Sequence, residues 1–123
     1  MTDDKHYPKP GDLIEIKQGC YDHWALYLRD GYVIHVTPVD EEASSLSASS
    51  ETKLIRKAQV KKELLKDVAG DDDWHVNNKY DCHRIPLPVE EIIQRAEEWI
   101  GSIVPYDVIG SNSEGFVRKL RYG

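Results

Sequence analysis

Apolar and polar residues alternate through the early part of the chain. Residues 13–17 (LIEIK), 23–29 (HWALYLR) and 32–37 (YVIHVT) are short and rich in β-branched and aromatic side chains, and they predict three strands. Arg29-Asp30-Gly31 separates the last two and predicts a tight hairpin. Residues 58–65 (AQVKKELL) fit either a strand or a helix, with strand favoured for the first half. Residues 83–87 (HRIPL) predict a short strand ended by Pro86 and Pro88. The period then changes. Val89, Ile92, Ile93, Ala96 and Ile100 form one helical stripe over 88–100, with Pro88 at its start, Glu90 and Glu91 in its first turn and Gly101 as its stop. A second helix is predicted from Ser113 to about Leu120, with Asn112 as N-cap and Phe116, Val117 and Leu120 on one side. Strands come first and helices mostly later, which predicts an α+β class with an antiparallel sheet.

The intervening stretches carry little to bury. Residues 1–10 read as a flexible arm closed by Pro8 and Pro10, and 11–123 as a single domain. Residues 40–52 (DEEASSLSASSET) read as a flexible surface loop. Asp71-Asp72-Asp73 reads as a solvated turn rather than a metal site.

Composition narrows the function classes. The 123 residues are 40% hydrophobic and 31% charged, an ordinary globular mixture. A net charge of -6 argues against nucleic acid as the main partner and gives no help toward anionic lipid. The two cysteines, Cys20 and Cys82, form no CxxC, and nothing in the sequence pairs them, so a reduced, cytoplasmic setting is expected. The polar start MTDDKHYPKPG is not a secretory signal, and no apolar run reaches the length of a membrane span.

The candidate chemistry lies in His23, His35 and Ser113. If Asp30-Gly31 alone formed the turn, Arg29 would face Tyr32, and the two histidines would sit on opposite faces. With a three-residue loop and Gly31 left-handed in a G1 bulge, Leu28 faces Tyr32 and Ala25 faces His35. His23 and His35 then become diagonal neighbours on one face. A shared site predicts the three-residue loop. Either histidine alone would pass for an ordinary strand residue. His6 sits in the arm, His75 and His83 flank a polar stretch, and Cys82-His83 is a poor metal pair because adjacent strand residues point apart. No metal is expected. Ser113 stands at a helix mouth, among unpaired N–H groups and the positive end of the helix dipole, where nucleophiles are often placed.

The segments PKPGDLIEI, YDHWALYLRDGYVIHVTP, VKKELLKDVAG, VNNKYD, PLPVEEIIQRAEEWIG and FVRKLRYG resemble, in order, the phospholipase A and acyltransferase (HRAS-like suppressor) group of the lecithin:retinol acyltransferase-like family. The resemblance runs from about Pro8 to Gly123. It implies a permuted papain-like (NlpC/P60) fold in which the histidine precedes the cysteine. It also implies a calcium-independent phospholipase A1/A2 and N-acyltransferase, using no cofactor or metal. A cysteine takes an acyl chain from a glycerophospholipid such as phosphatidylcholine or phosphatidylethanolamine, then passes it to water or to an amine. Carried onto this chain, His23 of the HWA motif is the base and His35 orients it. Tyr21 and Asn112, which precedes the nucleophile position, are the candidates for the oxyanion and substrate-binding role. That position of the NCEHFV motif falls on Ser113, because this chain reads NSEGFV, with Gly115 in place of the motif's histidine. Family members commonly continue into a hydrophobic C-terminal anchor. A monomer that is membrane-associated when full-length, here cut off at Gly123, is therefore expected.

Serine at 113 puts activity in doubt. A thiol of lowered pKa forms a thiolate–imidazolium pair, whereas a hydroxyl must lose its proton as it attacks. The shorter C–O bond also sits too far back in a site shaped around sulfur, which by itself costs about a hundredfold. Two origins fit: an engineered Cys→Ser replacement, which is favoured, or a native serine in a pseudoenzyme. The expectation is a lipid acyl-transfer enzyme in disabled form. Its competitor is a non-catalytic lipid-binding or protein-interaction module. A true serine hydrolase ranks last, since no GxSxG elbow accompanies Ser113.

Overall fold

The computed structural model describes residues 8–19, 21–39, 57–105 and 113–123. Six strands form one antiparallel sheet: β1 (Leu13–Gln18), β2 (Tyr21–Tyr27), β3 (Tyr32–Val39), β4 (Lys57–Leu64), β5 (Trp74–Val76) and β6 (Ile103–Pro105). Their order is β5-β1-β2-β3-β4-β6. Among the described residues three α-helices accompany them: α1 (Leu65–Ala69), α2 (Val89–Glu98) and α3 (Ser113–Tyr122). The class is α+β, as the alternation predicts. The N-terminal arm up to residue 7 and the serine-rich segment 40–52 lie outside the described residues.

Side chains alternate across the pleat, so each face gathers its own core. Leu26, Leu28, Ile34, Val36 and Val60 face α2 and α3, where Ile92, Ile93, Ala96, Phe116, Val117 and Leu120 meet them. Ile14, Ile16, Ala25 and Val33 face the other way and are covered by Leu65 and Ala69 of the short α1.

The hairpin between β2 and β3 combines the two turns considered from sequence. Tyr32 N–H donates to Arg29 O (3.0 Å), which closes a two-residue turn, and Asp30 as well as Gly31 is left-handed (φ 58° and 87°). Leu28 N–H nevertheless donates to Tyr32 O (2.8 Å), and the ladder continues with Tyr27↔Val33 and Leu26↔Ile34. Arg29 is thus an extra residue on the β2 side, a bulge that sets the register with Leu28 opposite Tyr32. Tyr27 Oη accepts the Gly31 N–H (2.8 Å), and Gly31 O accepts the Leu65 N–H (2.8 Å), so the turn also anchors the start of α1.

Several elements differ from the sequence expectation. Residues 57–64 are strand throughout, pairing with all eight residues of β3, and the helix begins only at Leu65. The stretch 83–87 is not a strand. A 3-10 turn (Lys79–Cys82) precedes it, and the Leu87 N–H makes a single backbone bond to Arg121 O (2.9 Å). Pro86 and Pro88 have no N–H with which to extend a ladder. The predicted helix 88–100 is shorter, with Pro88 as N-cap and Trp99 as C-cap. Val89 and Ile100, at the ends of its stripe, are 46% and 40% exposed. Strands β5 and β6, of three residues each, have too little pattern to announce themselves.

The C-terminal end of α3 is clamped. The buried Arg121 donates from Nη1 to Gly11 O (2.7 Å) and, through Nη2 and Nε, to both carboxylate oxygens of Asp81 (2.8 and 3.2 Å). Tyr122 Oη also donates to Asp81. The guanidinium beside Asp81 holds that carboxyl below its ordinary range, despite partial desolvation. Arg121→Ala leaves the buried Gly11 carbonyl unpaired and turns the part-exposed Asp81 carboxylate to solvent, and should lower the unfolding free energy by about 1–3 kcal/mol in urea denaturation. Arg121→Lys should recover only part of this, because one ammonium cannot span both carboxylate oxygens.

Candidate functional site

β2 and β3 pair only near their turn. The ladder covers Leu26↔Ile34 and Tyr27↔Val33, whereas β1 with β2 runs over six pairs and β3 with β4 over eight. Beyond Leu26 and Ile34 the ladder stops. Leu28 N–H points at β3, so Leu26 and Trp24 N–H point there too, by the two-residue alternation. At Trp24 the acceptor is not a β3 carbonyl. It is Ser113 Oγ, at 2.8 Å.

Ser113 is the first residue of α3 and is 3% exposed. It reaches the split from the sheet face that carries α2 and α3. His23 and His35 reach it from the other face, with their rings edge to face and centroids 5.1 Å apart. His23 Nε2 lies 2.9 Å from His35 Nδ1, and His35 Nε2 lies 3.1 Å from Glu63 Oε1 on β4. All of these side chains, with Trp24, line one cavity of about 740 Å³. The opening between two strands thus brings together a hydroxyl at a helix N-terminus and a pair of imidazoles from opposite faces.

Burial controls the electrostatics. Desolvation, helped by the neighbouring His35, pushes His23 down to about 4. Burial also lowers His35, and the adjacent Glu63 opposes that shift in part. At neutral pH His23 is an uncharged imidazole able to accept a proton. Ser113 Oγ accepts from Trp24 N–H, which leaves its own hydrogen free to be directed at a base. On the rim, Glu114 accepts from Tyr80 Oη (2.9 Å) and lies 3.8 Å from Lys79 Nζ, which ties the first turn of α3 to the 3-10 turn.

The structure therefore brings His23, His35 and Ser113 to one cavity. The side chain of Tyr21 and all of Asn112 lie outside the described residues. Trp24 packs in the core on the face opposite His23, and the residue still borders the cavity. Among the other histidines, His75 lies 3.1 Å from Glu15 Oε1, away from the pair, and His83 is exposed. Among the described residues no His, Cys, Asp and Glu cluster is arranged for a metal, and Cys82 is an exposed free thiol.

Sequence reasoning missed two participants. Glu63 lies on β4 diagonal to His35, whose direct partner is Lys61. Alternation of 59, 61 and 63 marks a common face, but the partner strand is reached only across residues 40–56. The Trp24 N–H left no sequence signal, because it depends on where two strands stop pairing.

The comparisons with known proteins agree in kind. The family model for lecithin retinol acyltransferase matches residues 6–123. Phospholipase A and acyltransferase 1 of Rattus norvegicus is 57% identical over 118 residues, 96% of this chain and 70% of that protein. Phospholipase A and acyltransferase 3 of Homo sapiens is 55% identical over 116 residues, 94% of this chain and 72% of that protein. Phospholipase A and acyltransferase 4 of Homo sapiens is 46% identical over 123 residues, the whole of this chain and 75% of that protein. On this match the chain belongs to the lecithin retinol acyltransferase family.

Proposed function

We propose that this chain carries the site of a phospholipase A and acyltransferase that moves a fatty acyl group from a glycerophospholipid to water or to an amine, and that Ser113 leaves it severely impaired. One observation carries the reading. Ser113 at the N-terminus of α3 and the His23–His35 pair open onto the same cavity, with Ser113 Oγ already held by Trp24 N–H. The names of the relatives support the substrate class. Phosphatidylcholine and phosphatidylethanolamine are the lipids to try. No helix among the described residues is long and apolar enough to cross a membrane. Access to lipid is through the surface of this part of the chain or through an anchor outside it.

In the proposed reaction the nucleophile at 113 attacks the ester carbonyl, and its proton passes to His23. The C–O bond to the glycerol breaks, and His23 returns the proton to the leaving alkoxide. Water or an amine then attacks the acyl-enzyme, with His23 taking the incoming proton; the acyl bond to residue 113 breaks, and His23 returns the proton to that residue. His35 holds the His23 ring in place. The Trp24 N–H stabilises charge on the attacking atom, and the dipole of α3 adds to it. A thiol exploits that field by ionising before attack. A hydroxyl, with a pKa far above the working pH, gains little from it.

The paired assay tests this. This chain and Ser113→Cys are incubated with short-chain phosphatidylcholine while fatty-acid release and intact protein mass are followed. The cysteine form should release fatty acid at least about a hundredfold faster and transiently gain one acyl mass. Comparable turnover by the serine form would make Ser113 the nucleophile. Inactivity of both would favour the alternative, a fold kept for binding.

The neutral His23 also predicts a pH effect on stability. Its folded value of about 4 lies below the ordinary 6.5. Its contribution is therefore complete above pH 6.5 and is lost as pH falls through 4, because the unfolded state binds the proton first. Unfolding free energies measured in urea at pH 7 and pH 4.5 should differ by up to about 3 kcal/mol from this source, and the difference should shrink in His23→Gln.

A further inference from the structure

We propose that Glu63 is a positioning residue, whose carboxylate fixes the tautomers of both histidines and so presents Nδ1 of His23 as the bare, proton-accepting atom. The inference rests on the reading of His23 as the base, and it deepens that reading by naming what orients the base. The argument follows the hydrogens along the chain of bonds. An ionised carboxylate only accepts, so His35 Nε2, 3.1 Å from Glu63 Oε1, carries the hydrogen. A neutral imidazole has one N–H, so His35 Nδ1 is a lone pair and must accept. His23 Nε2, 2.9 Å away, is then the donor. That places the single hydrogen of His23 on Nε2 and leaves Nδ1 bare.

Reversing any one link reverses the result. Were His35 protonated on Nδ1, His23 Nε2 would have to accept, and its hydrogen would move to Nδ1, where a base needs a lone pair. Two neutral imidazoles in contact can point their bond either way, and nothing in the pair itself selects a direction. Glu63 does. Its side chain is 41% exposed while that of His35 is 5% exposed, so the carboxylate keeps contact with solvent at the edge of the cavity while directing a buried pair. The other ionisable groups around His35 are His23 on β2 and Lys61, its cross-strand partner on β4. Across the cavity stand Glu15 on β1, Asp22 on β2, Asp67 on α1, Lys79 in the 3-10 turn and Glu114 on α3. Among the described residues, Glu63 is the carboxylate in hydrogen-bond contact with His35.

Nitrogen-15 spectra of the imidazole rings test the proposal without needing activity. At pH 7 this chain should show His23 and His35 both as Nε2–H tautomers, and Glu63→Leu should show a substantial population of Nδ1–H in one or both rings. An Nδ1–H His23 in the parent chain, or an unchanged tautomer pattern in a folded Glu63→Leu, would overturn it. Should the leucine variant fail to fold, Glu63→Gln keeps the shape and removes the charge. Protonation of His35 should then occur at lower pH than in the parent, and an unmoved midpoint would overturn the proposal. In the Ser113→Cys background, Glu63→Leu should lower kcat about tenfold or more with little change in KM. Should Ser113→Cys prove inactive, the acyl-transfer reading fails while the spectra still decide the role of Glu63.

Discussion

The site depends on one unmade pair of strand hydrogen bonds. Had β2 and β3 zipped along their full length, Trp24 N–H would have met a β3 carbonyl, and the sheet would have been closed between the histidines and α3. The ladder instead stops after Leu26↔Ile34. A buried N–H cannot go unpaired without cost, and Ser113 Oγ satisfies it. The bond that repairs the sheet is therefore the bond that fixes the residue at 113. Cysteine at that position would make a weaker acceptor as a thiol and a strong one as a thiolate, so the same N–H would favour the ionised form.

Much of this was legible in the sequence, and the reasons differ by element. The first three strands announced themselves by alternation, and α3 by Phe116, Val117 and Leu120. The Asp-Gly step marked the hairpin, and asking which register would let His23 and His35 share a face identified the pairing of Leu28 with Tyr32. The sequence predicts a G1 bulge at Gly31; the structure makes Arg29 the extra residue instead, which lets a two-residue turn coexist with that register. What sequence could not supply was the opening of the sheet, since the expectation placed both histidines on one face without asking on which face the helix would dock. It docks on the other.

The remaining misses share a cause. Glu63 belongs to a stretch whose alternation was visible but whose end was ambiguous, because VKKELL suits a strand and the start of a helix equally well, and it contains both. The predicted strand at 83–87 failed on backbone donors: the His83 and Arg84 N–H groups close the 3-10 turn on Tyr80 O, Pro86 has none, and that of Leu87 finds its partner on α3. Short edge strands such as β5 and β6 are fixed by neighbours distant in sequence, and a local pattern of three residues cannot report them.

The clamp at the far end of α3 bears on the site in another way. Asp81, Gly11 and Arg121 grip the helix at one end, while the residue at 113 sits at the other, joined by a rigid rod. Ten residues of α-helix span about 15 Å, so a pivot of only about 4° at the clamp swings the tip by about 1 Å. A shift of that size is comparable to the difference between a reactive and an unreactive approach. The helix is a lever arm, and its fulcrum is a salt bridge well removed from any reacting atom. Substitutions around Asp81 would thus register as changes in aim at the far tip before they registered as loss of fold.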